Sequence, residues 1–139
     1  MIFVDSWAWI ALADKDDLYH RKPKAQHKKL TRARQQYVTT DYVLSETITY
    51  LYDALRPAQA QGSLTRFWLL STPALMCWFI FLPTSSAPPG DSGKNTKISP
   101  AFSFVDFTSM VVMQDLNIAD VFTGDAHFRQ VNLGFQLHP

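Results

Sequence analysis

The sequence predicts an α/β fold with a mostly parallel central sheet, because short strand-like runs alternate with longer helical patterns. Ile2–Val4 is a β-branched and aromatic run of the kind that forms a buried strand. Parallel strands require long crossover connections, and the intervening segments are long enough to be helices. The further strand candidates are Tyr37–Thr39, Trp78–Leu82, Val121–Thr123 and, at an edge of the sheet, Phe135–Leu137.

The helix predictions rest on capping residues and on apolar periodicity. Leu44, Ile48, Leu51 and Leu55 would share one face of a helix that Thr40 or Asp41 could cap. The first helix has Asp5 and Ser6 as N-cap candidates, and Ser103 with Asp106 matches the capping-box pattern for a later helix. The other predicted helices cover Trp7–Ala13, Lys24–Gln36, Ala58 to about Leu70, Phe104 to about Asp115, and Asp125–Gln130.

Length and composition favour one domain over residues 1–139. The chain is 47% hydrophobic, and its single cysteine, Cys77, excludes an internal disulfide and reads as a buried core residue. The longest apolar run, Leu75–Leu82, is too short to span a bilayer, and we expect a soluble, cytoplasmic protein with no membrane association. The Pro-, Ser- and Gly-rich segment at about 83–100 is predicted to be a loop, and Asp14–Asp17 a turn.

Basic residues are concentrated in one short segment, although the net charge of the chain is only +1. No acidic residue interrupts this segment, so it could bind phosphates of a nucleic acid or could equally be a solvated helix face. Seven of the 13 Lys and Arg residues lie there: Arg21, Lys22, Lys24, Lys28, Lys29, Arg32 and Arg34.

Four acidic residues occupy informative positions relative to these elements. Asp5 ends the first strand and Asp125 follows another strand by one glycine, so both lie where open parallel sheets bind ligands. Asp106 lies in the first turn of an apolar helix, and Glu46 in the second turn of another. Each also has a structural explanation, since Asp5, Asp106 and Asp125 could be capping residues and Glu46 could simply be solvated.

A convergence of these carboxylates would require a cation, because neighbouring like charges disfavour ionisation. Mg²⁺ or Mn²⁺ prefers carboxylate and water oxygens, and such an ion could orient a water for attack on a phosphate. The four histidines, His20, His27, His127 and His138, show no metal-ligand spacing beyond chance, and the chain has no GxSxG, Walker or GxGxxG motif. Trp7 and Trp9 are better explained by helix packing than by base stacking.

Each of the four acids lies within a short motif. Ile2-Phe3-Val4-Asp5-Ser6 is the first, and Thr39–Thr47, which contains Glu46, is the second. Phe102–Asp106 is the third, and Phe122–Phe128, which contains Asp125, is the fourth. Together they resemble the motifs of PIN domains of the VapC toxin type, over about residues 1–72 and 101–139. Each motif is weak alone, but their order and the position of each acid are fairly specific.

The resemblance implies a PIN-like α/β/α sandwich and an endoribonuclease that depends on Mg²⁺ or Mn²⁺. It also implies RNA as the substrate, a cognate antitoxin protein that blocks the active site, and often a homodimer. The basic segment 21–34 would then be a candidate surface for RNA phosphates. By matching position, the catalytic and metal-binding residues would be Asp5, Glu46, Asp106 and Asp125, with Ser6 and Thr123 as secondary members of the pocket.

The middle of the chain departs from the family pattern, in which a helix usually precedes the third motif. Residues 83–100 are too rich in proline and glycine to form it. Family-like sequence on both sides suggests an altered reading frame between about Cys77 and Ala101, which comparison with homologous DNA would test. Two alternatives therefore stay open: a catalytically impaired PIN-like domain that binds RNA or protein, and a metal-dependent nuclease that acts on DNA.

Overall fold

The computed structural model describes residues 1–14, 21–70, 76–79 and 102–139. Within these residues, strands and helices alternate, as the sequence predicted. Their order is β1 (Ile2–Val4), α1 (Ser6–Ala13), α2 (Arg21–Arg32), β2 (Tyr37–Thr40), α3 (Asp41–Ala54), α4 (Pro57–Leu70), β3 (Met76–Phe79), α5 (Phe104–Asp115), β4 (Asp120–Phe122), α6 (His127–Gln130) and β5 (Gln136–Leu137).

The five described strands form one sheet in the order β3-β2-β1-β4-β5, and every neighbouring pair is parallel. Phe3 of β1 pairs with Val38 of β2 on one side and with Val121 of β4 on the other. Helices flank this sheet, so the predicted α/β class with a parallel central sheet is confirmed. The chain proceeds outward from β1 to β2 and β3, and then returns to the other side of β1. Such a reversal opens a crevice at the carboxyl ends of β1 and β4.

The core surrounds β1, whose three residues are all buried because helices cover both faces of a parallel sheet. Trp9 of α1 is fully buried, and its ring meets Tyr37 and Phe67 edge-on at centroid distances of 6.2 and 5.1 Å. Its indole nitrogen donates to the hydroxyl of Thr39 at 3.4 Å. The packing role predicted for Trp9 is therefore confirmed.

Helix α2 begins and ends earlier than the predicted range 24–36. Its end is a Schellman motif, in which Gln35 N donates to Leu30 O and Arg34 N donates to Thr31 O. This turn requires a left-handed residue, and Arg34 occupies it with φ of 52°. Because glycine or asparagine usually occupies this left-handed position and arginine seldom does, the sequence did not indicate where α2 ends.

Two other helices begin where their capping residues predicted. Thr40 accepts a hydrogen bond from Val43 N at the start of α3, and Ser103 forms a full capping box with Asp106 at the start of α5. The predicted apolar stripe of α3 was only partly right. Leu51 is buried, but Val43 and Thr47 complete the buried line while Leu44, Ile48 and Leu55 are half-buried.

Three sequence predictions fall wholly or partly on undescribed residues. The turn at Asp14–Asp17 and the strand at Trp78–Leu82 extend beyond the described ranges, and the loop at 83–100 lies entirely outside them. The predicted burial of Cys77 concerns a side chain that is also outside the description. In the part of the chain that is described, no helix has both the length and the apolar character of a membrane span.

The left-handed conformation of Arg34 yields a stability prediction. A non-glycine residue in this region costs roughly 1–2 kcal/mol, which exceeds the added chain entropy of glycine. We therefore expect Arg34→Gly to raise the free energy of unfolding by about 0.5–1 kcal/mol in urea titrations. Asn117 has the same φ of 52° in the equivalent turn after α5. Because asparagine tolerates this region, Asn117→Gly should give a smaller gain; equal gains from both variants would contradict the explanation.

Candidate active site

The crevice at the carboxyl ends of β1 and β4 is built around the carboxylate of Asp5. Asp5 follows β1 directly, and its backbone N–H donates to Phe122 O of β4 at 3.3 Å, which ties the two strand ends together. The hydroxyl of Thr123 donates to Asp5 Oδ2 at 2.8 Å. Asp5 is the N-cap residue of α1 by position, as predicted, but its side chain makes no capping hydrogen bond, so capping does not explain the orientation of the carboxylate.

The Asp5 side chain is buried, and its ionisation is correspondingly unfavourable. Burial is the largest cause that raises its pKa, from 3.8 to about 7. Hydrogen bonds from the Thr123 side chain and the Ser6 backbone favour the charged form, whereas the carboxylates of Asp106 and Glu46 oppose it. Without a nearby positive charge, Asp5 is therefore only partly ionised at neutral pH.

Asp106 reaches the same crevice from the first turn of α5. Its Oδ2 accepts the backbone N–H of Ser103 at 2.9 Å, while Ser103 Oγ accepts the backbone N–H of Asp106 at 3.0 Å. Asp106 belongs to the capping box, and its side chain also lines the crevice. The capping interpretation and the site interpretation of Asp106 are therefore compatible, because the capping hydrogen bonds orient the carboxylate.

Asp125 is held by the turn between β4 and α6. Its backbone N–H donates to Thr123 Oγ1 at 3.0 Å, and its Oδ1 accepts the backbone N–H of His127 at 2.9 Å. The N-cap of α6 is Ala126, so the prediction of a helix over Asp125–Gln130 began two residues too early and Asp125 is not the cap. The turn directs Asp125 toward the crevice instead.

His127 is a member of the site that the sequence interpretation missed. Its Nδ1 lies 3.3 Å from Asp125 Oδ2 and 3.6 Å from Asp106 Oδ2, and this buried nitrogen has no hydrogen-bond partner. One ligand atom from each of the three residues lies within 4.8 Å of the others. The Asp-x-His spacing was the available signal, but it is common in turns and predicts little without the position of Asp106.

A cavity of about 360 Å³ collects all four predicted acids, which come from four different segments of the chain. Glu46 enters from α3, so it is more than a solvated residue of that helix. Ser6 lines the cavity directly, whereas Thr123 acts through its bonds to Asp5 and Asp125. The lining residues are Asp5, Ser6, Trp7, Ile10, Glu46, Tyr50, Ser103, Asp106, Asp125 and His127.

The predicted RNA-binding residues lie elsewhere. All seven are exposed on or just after α2, and none lines the cavity. Arg32 and Arg34 precede β2, so they lie at the amino-terminal edge of the sheet, opposite the acids. The structure therefore separates the basic surface, at least at its carboxyl-terminal end, from the acidic crevice.

The donor set of the cavity suits a divalent cation. Each of Asp5, Asp106 and Asp125 has a carboxylate oxygen engaged by a protein donor, which orients the group. The buried, unpaired Nδ1 of His127 is a further donor atom at the same place. A hard cation among these groups would offset both the burial cost of Asp5 and the mutual repulsion of the acids.

Comparison with known proteins identifies this fold. The structure is similar to the crystal structure of VapC20 from Mycobacterium tuberculosis, described as a sarcin–ricin loop cleaving toxin, with a TM-score of 0.67. The aligned region covers 98% of this chain and 97% of VapC20, with 22% sequence identity. No protein-family model matches the sequence, and no curated protein is significantly similar to it. The chain thus has a PIN-like fold of the VapC kind.

Gly124 allows Trp7 to close one wall of the crevice. A Cβ at this position would lie 2.4 Å from the Trp7 indole, closer than any real contact. We expect Gly124→Ala to lower the free energy of unfolding by about 1–3 kcal/mol in urea titrations, as overpacking does. Trp7→Leu removes the clashing ring, so adding Gly124→Ala to it should cost much less. Additive losses in the double variant would show that Trp7 is not the obstacle.

The raised pKa of Asp5 makes the metal-free protein sensitive to pH. The pKa of Asp5 is 3.8 in the unfolded state and about 7 in the folded state. Between these pH values, folded Asp5 retains a proton that the unfolded chain releases, so the free energy of unfolding falls as pH rises. The loss above pH 7 should reach at most about 4 kcal/mol. Asp5→Asn cannot ionise, so in EDTA it should be more stable than the wild type at pH 7.5 and lose most of that advantage by pH 4.5. An advantage that does not vary with pH in urea titrations would refute this cause.

Proposed function

We propose that this chain is a metal-dependent endoribonuclease of the VapC PIN-domain type. The observation that carries the proposal is the convergence of Asp5, Glu46, Asp106 and Asp125 on one cavity, at the switch point of a VapC-like sheet. Open parallel sheets bind ligands at this point. The similarity of fold supports the family, and the carboxylates support hydrolysis of a phosphodiester.

The proposed cofactor is Mg²⁺ or Mn²⁺, held by the four carboxylates. When bound, such an ion would lower the pKa of a water and neutralise charge that develops on a phosphate. The protein itself orients the carboxylates: Thr123 holds Asp5, the Ser103 backbone holds Asp106, and the His127 backbone holds Asp125. Nδ1 of His127 lies beside the carboxylates of Asp106 and Asp125, where it could be a further ligand of the ion.

The proposed reaction is attack of an external water on phosphorus, with cleavage of the bond to the 3′-oxygen. The products are then a 5′-phosphate and a 3′-hydroxyl. Attack by the 2′-hydroxyl of the RNA would instead leave a 2′,3′-cyclic phosphate, and detection of that end group would reject the proposal. The exposed basic residues of α2 are proposed to attract RNA phosphates at a distance from the cleavage site.

The partners proposed from the same similarity are a cognate antitoxin protein and a second copy of the chain. A domain over residues 1–139 that works in the cytoplasm is also part of this proposal. The four acids all lie among the described residues, outside the segment 83–100 that departs from the family pattern.

The first test is cleavage of a mixed single-stranded RNA by the purified protein with Mg²⁺, and with EDTA. We expect cleavage only with Mg²⁺, and a loss of more than roughly 100-fold in Asp5→Asn, which keeps the size of the side chain and removes its charge. Thr123→Val should reduce kcat/KM by roughly 10- to 100-fold, because Asp5 loses the donor that orients it.

Asp115→Asn is the matched control, since this exposed acid lies at the opposite end of α5 from Asp106. It should cleave like the wild type. Preferential cleavage of single-stranded DNA would favour the DNA-nuclease alternative. A folded wild-type protein that binds RNA and Mg²⁺ without cleaving would favour the catalytically impaired domain, and either result would contradict the proposed function.

A further inference from the structure

A second groove opens beside the acidic cavity, between α3 and the start of α5. It has a volume of about 420 Å³ and shares two lining residues, Glu46 and Tyr50, with that cavity. The two spaces are therefore adjacent, with Glu46 and Tyr50 of α3 bordering both. Its lining residues are Tyr42, Ser45, Glu46, Thr49, Tyr50, Asp53 and Val105.

The groove has aromatic rings at its wall and beside it. Tyr50, which lines the groove, is 49% exposed, and Phe104 of α5, just outside the lining, is 62% exposed. The ring of Tyr42 meets Phe104 edge-on, with centroids 5.1 Å apart. Exposed rings beside a polar cavity are costly in water, but they provide flat faces on which a nucleobase can stack.

The charge of the groove argues for a base rather than for the RNA backbone. Its lining includes the carboxylates of Glu46 and Asp53 but no lysine or arginine, so a phosphate would be repelled there. The hydroxyls of Ser45 and Thr49 and the carboxylate of Asp53 can instead accept N–H groups from the edge of a base. An RNA whose phosphate lay in the acidic cavity would place its next base in reach of Tyr50.

We propose that this groove is a base-stacking subsite, in which Tyr50 holds the nucleobase next to the scissile phosphate. The proposal rests on the proposed function, because it requires an RNA strand across the acidic cavity. The proposal thus assigns recognition of the RNA to the nucleobase next to the scissile phosphate. The groove would also distinguish unpaired from paired RNA, since a base within a duplex cannot stack on a protein ring.

The test compares Tyr50→Ala and Tyr50→Phe on a short single-stranded RNA with one defined cleavage site. Tyr50→Ala should lower kcat/KM by roughly 5- to 100-fold, the loss expected for one base–aromatic stack. Tyr50→Phe keeps the ring and should cleave nearly as well as the wild type. Tyr52→Ala is the matched control, because this tyrosine of α3 is 57% exposed and lines neither cavity.

Substrates that lack one base separate stacking from a structural role. With an abasic nucleotide next to the cleavage site, on one side or the other, the wild type should fall to the level of Tyr50→Ala, and the two proteins should no longer differ. Equal cleavage of the intact RNA by Tyr50→Ala and wild type would overturn the subsite. So would a defect that persists unchanged on both abasic substrates.

Binding measurements keep the subsite and the nuclease activity distinguishable. Fluorescence anisotropy of a labelled RNA in EDTA, with the Asp5→Asn protein, requires no cleavage, and adding Tyr50→Ala should weaken binding. If the wild type has no nuclease activity but Tyr50→Ala still weakens RNA binding, the proposed function is rejected and the base subsite is retained. Unchanged RNA binding together with dissociation of a dimer in sedimentation would show instead that the groove binds a second copy of the chain.

Discussion

The structure depends on one unfavourable interaction, the burial of the Asp5 carboxylate at the carboxyl edge of a parallel sheet. A charge in this position is costly, and its cost is increased by Asp106 and Glu46. Folding nevertheless directs it there, because Asp5 follows the fully buried strand β1 and its backbone bonds to β4. The surrounding donors reduce the cost without removing it, which is the state expected of a site prepared for a cation.

The neighbouring elements orient the acids through ordinary secondary-structure contacts. The capping box of α5 sets Asp106, and the turn between β4 and α6 sets Asp125 through Thr123 and His127. Local stability and site geometry therefore come from the same hydrogen bonds. The close contact of Gly124 with Trp7 adds a wall to the crevice, so the site is preorganised by rigid elements rather than by flexible side chains.

The site has two parts with different chemistry. The acidic cavity suits a cation and the reacting phosphate, whereas the groove along α3 presents Tyr50 and hydroxyl groups suited to a base. The basic surface of α2 is a third, separate feature, and none of its seven side chains lines either space. Under the proposed function, long-range attraction would belong to α2, apart from the two adjacent spaces, which share Glu46 and Tyr50.

The sequence by itself determined the α/β class, four of the strands closely, and the four acids, because alternating apolar runs and capping residues are local signals. It did not determine the end of α2, where Arg34 adopts a left-handed conformation that arginine does not signal. The sequence also did not predict that His127 lines the acidic cavity, or that Tyr50 borders both the cavity and the groove. Only the tertiary structure decided these positions, because they depend on α3, α5 and α6 meeting at one edge of the sheet. Distances between segments far apart in the chain leave no trace in local pattern, so the sequence indicated candidate residues and the fold decided which of them lie together.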